Sequence, residues 1–119
     1  LLIDGHENLI KQAFYNLLHN CTKFSTNQTA TIQIIAVNKQ QLKIEISNIG
    51  ETLIEAEEKF LFHHFFRGNN SQKSEGFGLG LVLTKKIFDL HKIAISYLKP
   101  NEKTNVFCVL FPVKLKSNT

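Results

Sequence analysis

The chain has no methionine, no tryptophan, two prolines and two cysteines among its 119 residues. Because it opens on Leu1 and lacks methionine, we expect an excised piece of a longer protein, whose function is that of a module. Cys21 and Cys108 are too few for a disulfide framework or a metal site of their own. Both sit in apolar stretches and read as small core hydrophobes, which fits a reducing compartment. No apolar run approaches ~18 residues, so nothing reads as a membrane span. No charged, apolar and small-residue leader opens the chain. Ten acidic residues stand against fourteen basic ones, a net charge of +4, which favours an anionic partner only weakly. The lysines are scattered apart from the pair Lys85–Lys86, whereas a nucleic-acid surface gathers its basic residues in a stripe or motif. No nucleic-acid partner is therefore expected.

What remains is an ordinary globular composition, 43% hydrophobic and 20% charged. At this length the whole chain, residues 1–119, forms one domain that can bury about two thirds of its surface.

Periodicity sets the elements. Asp4 and Glu7 stand at capping-box spacing before a helix over 7–24, whose apolar positions Ile10, Ala13, Phe14, Leu17, Leu18 and Cys21 share one face. The β-branched run 31–37 and the alternation of Leu42, Ile44 and Ile46 with Lys43, Glu45 and Ser47 predict a hairpin turning at 38–41. A short helix over 55–65 follows, acidic at its start as the helix dipole prefers. Residues 68–75 carry no apolar side chain and are expected to form an exposed, mobile loop. A glycine-dense stretch, 76–80, leads into a helix over 81–91. Strands over 93–98 and 106–113 close the chain around a turn at Pro100–Asn101. Helix, hairpin, helix, helix, hairpin is the order of an α+β two-layer sandwich, with a mixed, mostly antiparallel sheet and about three helices on one face.

Four segments carry chemistry. Asn16, Asn20 and Lys23 stand at i, i+4 and i+7 and fall within about 60° of one another on a helix. That stripe borders the apolar face, as a solvated face does and as a face lining a cleft does. An amide carbonyl suits Mg²⁺ and a lysine suits phosphate. Gly76-Phe77-Gly78-Leu79-Gly80-Leu81 runs into a helix, where backbone can approach a phosphate closely. It matches neither the dinucleotide fingerprint nor a Walker loop, and a plain flexible turn would read the same. Ile46-Ser47-Asn48-Ile49-Gly50 ends a strand with an amide and a glycine. Residues 60–67 hold four phenylalanines and end on Arg67, the only arginine.

In that joint order the segments NLLHNCTKFS, ISNIGETL, EKFLFHHFFRG and GFGLGL resemble the ATP-binding catalytic domain of sensor histidine kinases. The superfamily includes DNA gyrase B subunits, mismatch-repair ATPases and heat-shock chaperones. The resemblance runs from Asp4 to Pro112 and implies a Bergerat-type ATP-binding fold with ATP and Mg²⁺ as ligands. It implies that Asn20 holds the Mg²⁺ bridging the phosphates, that Asn16 lines the same site and that Lys23 contacts phosphate. These three form the catalytic set. Phe24 would pack near base or ribose, Asn48 would meet the adenine amino group, and Gly50 would let the base approach the backbone. Leu53, Arg67, Gly76, Gly78, Leu79, Gly80 and Leu81 complete the implied nucleotide-binding set, Arg67 and 68–75 as an ATP lid and Gly78 and Gly80 as the opening of a phosphate-facing helix terminus.

The resemblance also implies partners: the protein's own dimerisation and phosphoacceptor domain, a response regulator, and a second copy in a full-length homodimer, with the isolated domain a monomer. The domain would be cytoplasmic, any membrane anchor lying elsewhere in the full chain. The phosphoacceptor histidine would lie upstream, leaving His19, His63 and His64 as surface or packing residues. Water-using relatives place a Glu four residues before the Mg²⁺-binding Asn, where this chain has Asn16. Five positions depart from the usual pattern: Asn48 and Thr52 where Asp and Gly are common, Lys92 where a glycine often follows the histidine, and Thr104-Asn105 where Gly-Thr is frequent. An Asn amide can turn to accept from adenine or donate to guanine, so Asn48 predicts a weaker preference for adenine that Asn48→Asp would restore. The expected function is a protein-histidine kinase catalytic domain. The alternatives are a nucleotide-sensing or degenerate module without phosphotransfer, and a water-using ATPase.

Overall fold

A computed structural model describes residues 6–23, 25–58, 61–62 and 71–112, and for residues 71–80 the backbone alone. The elements are α1 (Glu7–Lys23), β1 (Thr31–Asn38), β2 (Gln41–Ile49), α2 (Glu55–Glu58), α3 (Ser71–Leu90), β3 (Ala94–Asn101) and β4 (Thr104–Pro112). The expected order of helix, hairpin, helix, helix, hairpin is the order found. The four strands lie in the order β1-β2-β4-β3, and every described pairing is antiparallel. The fold is α+β, with the helices packed on a single sheet.

Helix α1 starts where expected, but its cap is His6: the His6 carbonyl accepts the first helical bond from Ile10, and its ring Nδ1 accepts from the Leu9 N–H. Asp4, the expected cap, lies outside the described residues. At the far end of α3 the Ile93 N–H reaches the Phe88 carbonyl at 2.8 Å and Lys92 takes a left-handed φ of 59°. This is the helix stop that a glycine satisfies without strain. The N–H of His6 donates to Nε2 of His91, tying the start of α1 to the end of α3.

The core forms where strand alternation meets the two long helices. On β4 burial alternates strictly, Phe107, Val109 and Phe111 pointing inward. They meet Ile46 of β2, Leu17 of α1 and Phe88 of α3. Phe14 stacks on Phe111 at 5.2 Å and meets Phe88 edge-on at 5.4 Å. The buried Thr84 hydroxyl donates to the Ala13 carbonyl and fastens α3 to α1. Cys21 is in this core as expected, whereas Cys108, out of phase on β4, is only half-buried; both thiols are free. Burial pushes the Cys21 thiol up to about 12 from its usual 9.0.

Three features of the chain differ from the sequence reading. Residues 71–75, expected in a loop, belong to α3, and Gly76, Gly78 and Gly80 lie inside that helix rather than at its start. Gln72, Lys73 and Glu75 are good helix formers, and each glycine costs a helix only about 1 kcal/mol. The last hairpin turns at Glu102–Lys103, not at Pro100–Asn101, because the Asn101 side-chain oxygen accepts the Lys103 N–H at 2.9 Å. Pro100 stays in β3, an edge strand, where its missing N–H breaks no ladder. Strand β4 accordingly begins at Thr104, two residues earlier than expected. Helix α2 covers Glu55–Glu58 of the expected 55–65, and Leu61 and Phe62 form a turn rather than its continuation; Lys59, Phe60 and residues 63–65 lie outside the described residues.

Candidate functional site

The last turn of α1 meets the end of β2 and the start of β4 at one end of the sheet, and Asn20 and Asn48 lie there. Asn20 is 3% exposed on α1, Asn16 is half-buried one turn earlier, and Lys23 is exposed at the helix end. Asn48 is 4% exposed on β2. It follows Ile44 and Ile46 on the inward face, so the strand's apolar alternation ends in an amide. Helix and strand are joined here directly: Asn48 Nδ2 donates to the carbonyl of Cys21, the neighbour of Asn20, at 2.6 Å.

Opposite Asn48 in the ladder stands Asn105, 3% exposed and in phase with Phe107, Val109 and Phe111. Its Nδ2 donates to Asn48 Oδ1 at 2.9 Å and to the Glu51 carbonyl at 3.2 Å. Its Oδ1 accepts from the Tyr97 hydroxyl, which in turn accepts the Leu53 N–H at 3.2 Å. Burial first, and then the charges of Glu58 and Glu57, push the Tyr97 hydroxyl above its usual 10.0 against the opposing pull of the Leu53 N–H, so the hydroxyl keeps its proton.

The direction of every bond in this chain follows from its backbone ends. An N–H can only donate and a carbonyl can only accept. Leu53 N–H therefore makes Tyr97 oxygen an acceptor and sends the Tyr97 proton to Asn105 Oδ1. Glu51 and Cys21 carbonyls hold the two amide nitrogens. The Asn48 amide is thus held in one orientation: turning it would break both of its bonds and set its oxygen against the Cys21 carbonyl.

The loop after Asn48 is pinned as well. Gly50 is buried and its N–H donates to the Lys103 carbonyl at 2.8 Å, while the Thr52 hydroxyl donates to the Glu102 carbonyl at 3.0 Å. Leu53 is buried, and its carbonyl accepts from Lys99, which also pairs with Glu58 at 3.1 Å. Thr52, where a glycine is usual in the resemblance, therefore acts as a tether.

Leu81 is fully buried, a packing position at the middle of α3. Gly76, Gly78, Leu79 and Gly80 are placed by backbone alone, within α3. Phe24, Arg67, His63, His64 and residues 68–70 lie outside the described residues. His19 is exposed on α1 beside Tyr15. A groove of about 320 Å³ opens between the 27–29 turn and the strand ends, and among the described residues of the expected site only Asn48 lines it.

Tyr97 and the inward role of Asn105 were not among the expected site residues. The signal was present in the alternation: β2 and β4 each carry apolar residues at every second position and each ends that series in asparagine.

Among the described residues no group of three His, Cys, Asp or Glu side chains could hold a metal ion. One buried amide oxygen, at Asn20, suits a Mg²⁺ that arrives already bound to phosphates and keeps several waters.

A family profile described as histidine kinase-, DNA gyrase B-, and HSP90-like ATPase matches residues 5–115. The heme sensor protein HssS of Staphylococcus saprophyticus is 28% identical over 109 residues, 92% of this chain and 23% of that protein. The adaptive-response sensory kinase SasA of Rippkaea orientalis is 34% identical over 86 residues, 71% of this chain and 22% of that protein. The chain thus spans under a quarter of the length of these relatives. In fold it matches the mycobacterial sensor histidine kinase MprB with a TM-score of 0.81 at 21% identity, covering 96% of this chain and 78% of that one. It matches ShkA, a full-length structure in complex with AMPPNP, with a TM-score of 0.75 at 16% identity over 93% of this chain and 23% of that one.

Proposed function

Because the chain belongs to the family of histidine kinase-, DNA gyrase B- and HSP90-like ATPases, we propose that residues 1–119 are the ATP-binding catalytic domain of a two-component sensor histidine kinase. The observation that carries this reading is the junction of α1 with β2 through the Cys21 carbonyl, which brings the buried amides of Asn20 and Asn48 to one end of the sheet. Asn48 would meet the base and Asn20 the phosphate end of one nucleotide.

Asn20 would supply an oxygen to Mg²⁺, which when bound neutralises charge on the phosphates. Lys23 at the helix end would add a positive charge, and Asn16 would line the same side. Gly76, Gly78 and Gly80, which carry no Cβ, would let phosphate oxygens approach α3. Gly50 and Leu53, both buried and pinned, would form the floor under the base. Phosphoryl transfer needs positioning and charge neutralisation more than covalent help from the protein. The acceptor would be a histidine on the dimerisation domain of the full-length protein, and a response regulator would take the phosphoryl group on.

Asn16 argues against a water-using branch. It is a neutral amide with no useful basicity near pH 7, and general-base help is worth ~10²–10⁴ in rate. Glu7 is nine residues from Asn16, about 13 Å along the helix, and cannot stand in. The domain should therefore bind ATP, hydrolyse it negligibly, and phosphorylate a histidine only when the phosphoacceptor domain is supplied. Calorimetric titration with ADP, with and without Mg²⁺, followed by a phosphate-release assay, tests this. No nucleotide binding, or rapid phosphate release that Asn20→Ala abolishes, would refute it.

A further inference from the structure

We propose that Asn105, held by Tyr97, is a positioning residue for base recognition: it locks the Asn48 amide in one orientation and so sets which purine the site accepts. The inference rests on the reading of Asn48 as the base contact. An asparagine amide has an oxygen that accepts and a nitrogen that donates, and by itself it can serve either purine by turning over. Adenine offers an amino donor beside a ring-nitrogen acceptor. Guanine offers the reverse, a carbonyl acceptor beside a ring N–H donor. Selectivity from an asparagine therefore requires that turning be prevented.

The structure prevents it twice. Asn105 Nδ2 donates to Asn48 Oδ1 at 2.9 Å, and Cys21 oxygen takes Asn48 Nδ2 at 2.6 Å. Asn105 cannot turn over in compensation, because its nitrogen also serves the Glu51 carbonyl and its oxygen serves the Tyr97 hydroxyl. The chain ends on backbone groups, Leu53 N–H, Glu51 carbonyl and Cys21 carbonyl, whose roles no side-chain rotation can exchange. Asn48 keeps one lone pair and one N–H uncommitted in fixed places. That arrangement accepts from the amino group of adenine. Guanine seated in the same pose would set its carbonyl against the Asn48 oxygen and its ring N–H against the Asn48 nitrogen, and turning the amide to match it would break both Asn48 bonds and leave buried polar groups facing like groups. Asn105 and Tyr97 need not touch the nucleotide to do this.

A Thr/Val pair at position 105 separates the lock from packing. A threonine hydroxyl can accept from Tyr97 and donate to Asn48 Oδ1, preserving the direction of the chain. Valine has the same shape and β-propensity but neither capacity. The measurement is the ratio of GDP to ADP dissociation constants, with Mg²⁺, for the 119-residue chain and its Asn105→Thr and Asn105→Val variants. We expect the native chain and Asn105→Thr to share a preference for ADP, and Asn105→Val to lower that preference about tenfold. Should Asn105→Val fail to fold, Tyr97→Phe, which removes one hydroxyl at a half-buried site, is read instead and should lower the ratio about threefold. An unchanged ratio in the folded valine variant, or in Tyr97→Phe where that variant is read, overturns the lock while leaving nucleotide binding intact. A native chain that binds neither nucleotide overturns the lock together with the reading beneath it.

Discussion

The two halves of the site are built in opposite ways. On the side of β2 and β4, Asn48, Asn105 and Tyr97 pass hydrogen bonds among themselves and end them on backbone groups, so that side is complete before any ligand arrives. On the side of α1, Asn20 is buried with no carboxylate partner among the described residues, Asn16 is half-buried and Lys23 is exposed. A base is a rigid, neutral, planar object, and it is read best by groups already fixed. A triphosphate brings its own charge and metal, and it can complete a set of oxygens that the protein only begins. The comparison teaches that mutations on the first side should act through stability and selectivity, and mutations on the second through ligand affinity alone.

The largest effect should come from the open side. Asn20→Ala removes the protein's oxygen from the metal, and Mg²⁺-dependent nucleotide affinity should fall by about a hundredfold, with the thermal midpoint of the apo domain nearly unchanged. Calorimetry with and without Mg²⁺ checks it; equal Mg²⁺ dependence in the variant would break the division of the site. On the closed side Asn48→Asp should behave differently from the expectation that it restores adenine preference. It sets a carboxylate oxygen against the Cys21 carbonyl at a distance now bridged by a 2.6 Å hydrogen bond. Stability should fall by ~1–3 kcal/mol, seen in denaturant unfolding. An Asp variant as stable as the native chain would mean that the network does not depend on donation to Cys21.

Smaller effects probe what lies behind the closed side. Cys21 keeps its proton up to about 12 in the folded state and only to about 9.0 when exposed. The folded state therefore holds the proton more tightly: this contribution is fully present below about pH 9 and is lost progressively as pH rises toward 12. Between pH 8 and pH 10 the domain should lose ~1.4 kcal/mol from this group, a slope absent in Cys21→Ala. Native Cys21 should also resist alkylation at pH 8. Last, Lys92 holds a left-handed φ of 59° at the end of α3, so Lys92→Gly should raise stability by ~1 kcal/mol, checked by thermal unfolding. No gain would mean that the helix stop is not strained.

The strands and the first helix were legible because a single periodicity governed each: Leu42, Ile44 and Ile46 alternate, and Ala13, Leu17 and Cys21 recur at helical spacing. Asn16, Asn20, Lys23 and Asn48 could be picked out as polar residues where those patterns border or end. Asn105 was visible only as a departure from a family pattern, because its role depends on register. Only the ladder sets it opposite Asn48, and only the third strand brings Tyr97 behind it. The start of α3 was misplaced because glycines and polar residues resemble a loop whenever their neighbours in space are unknown. Likewise the last turn moved by two residues because the Asn101 side chain, not Pro100, decides where the backbone folds back. The helices leave part of the sheet bare: Ile32 and Ile34 of β1 are 51% and 64% exposed beside Ile46 and Ile44.

The central claim is that one nucleotide joins the end of α1 to the end of β2. A ¹⁵N-resolved NMR titration of the domain with Mg²⁺ and ADP tests it most directly. The account predicts that the largest shifts fall on the amides and side-chain NH₂ groups of Asn16, Asn20 and Asn48 and on the Lys23 and Gly50 amides, with Ile32, Ile34 and the rest of β1 unmoved. Shifts confined to β1 or to the groove beside residues 27–29, or no shifts at saturating ADP, would contradict it.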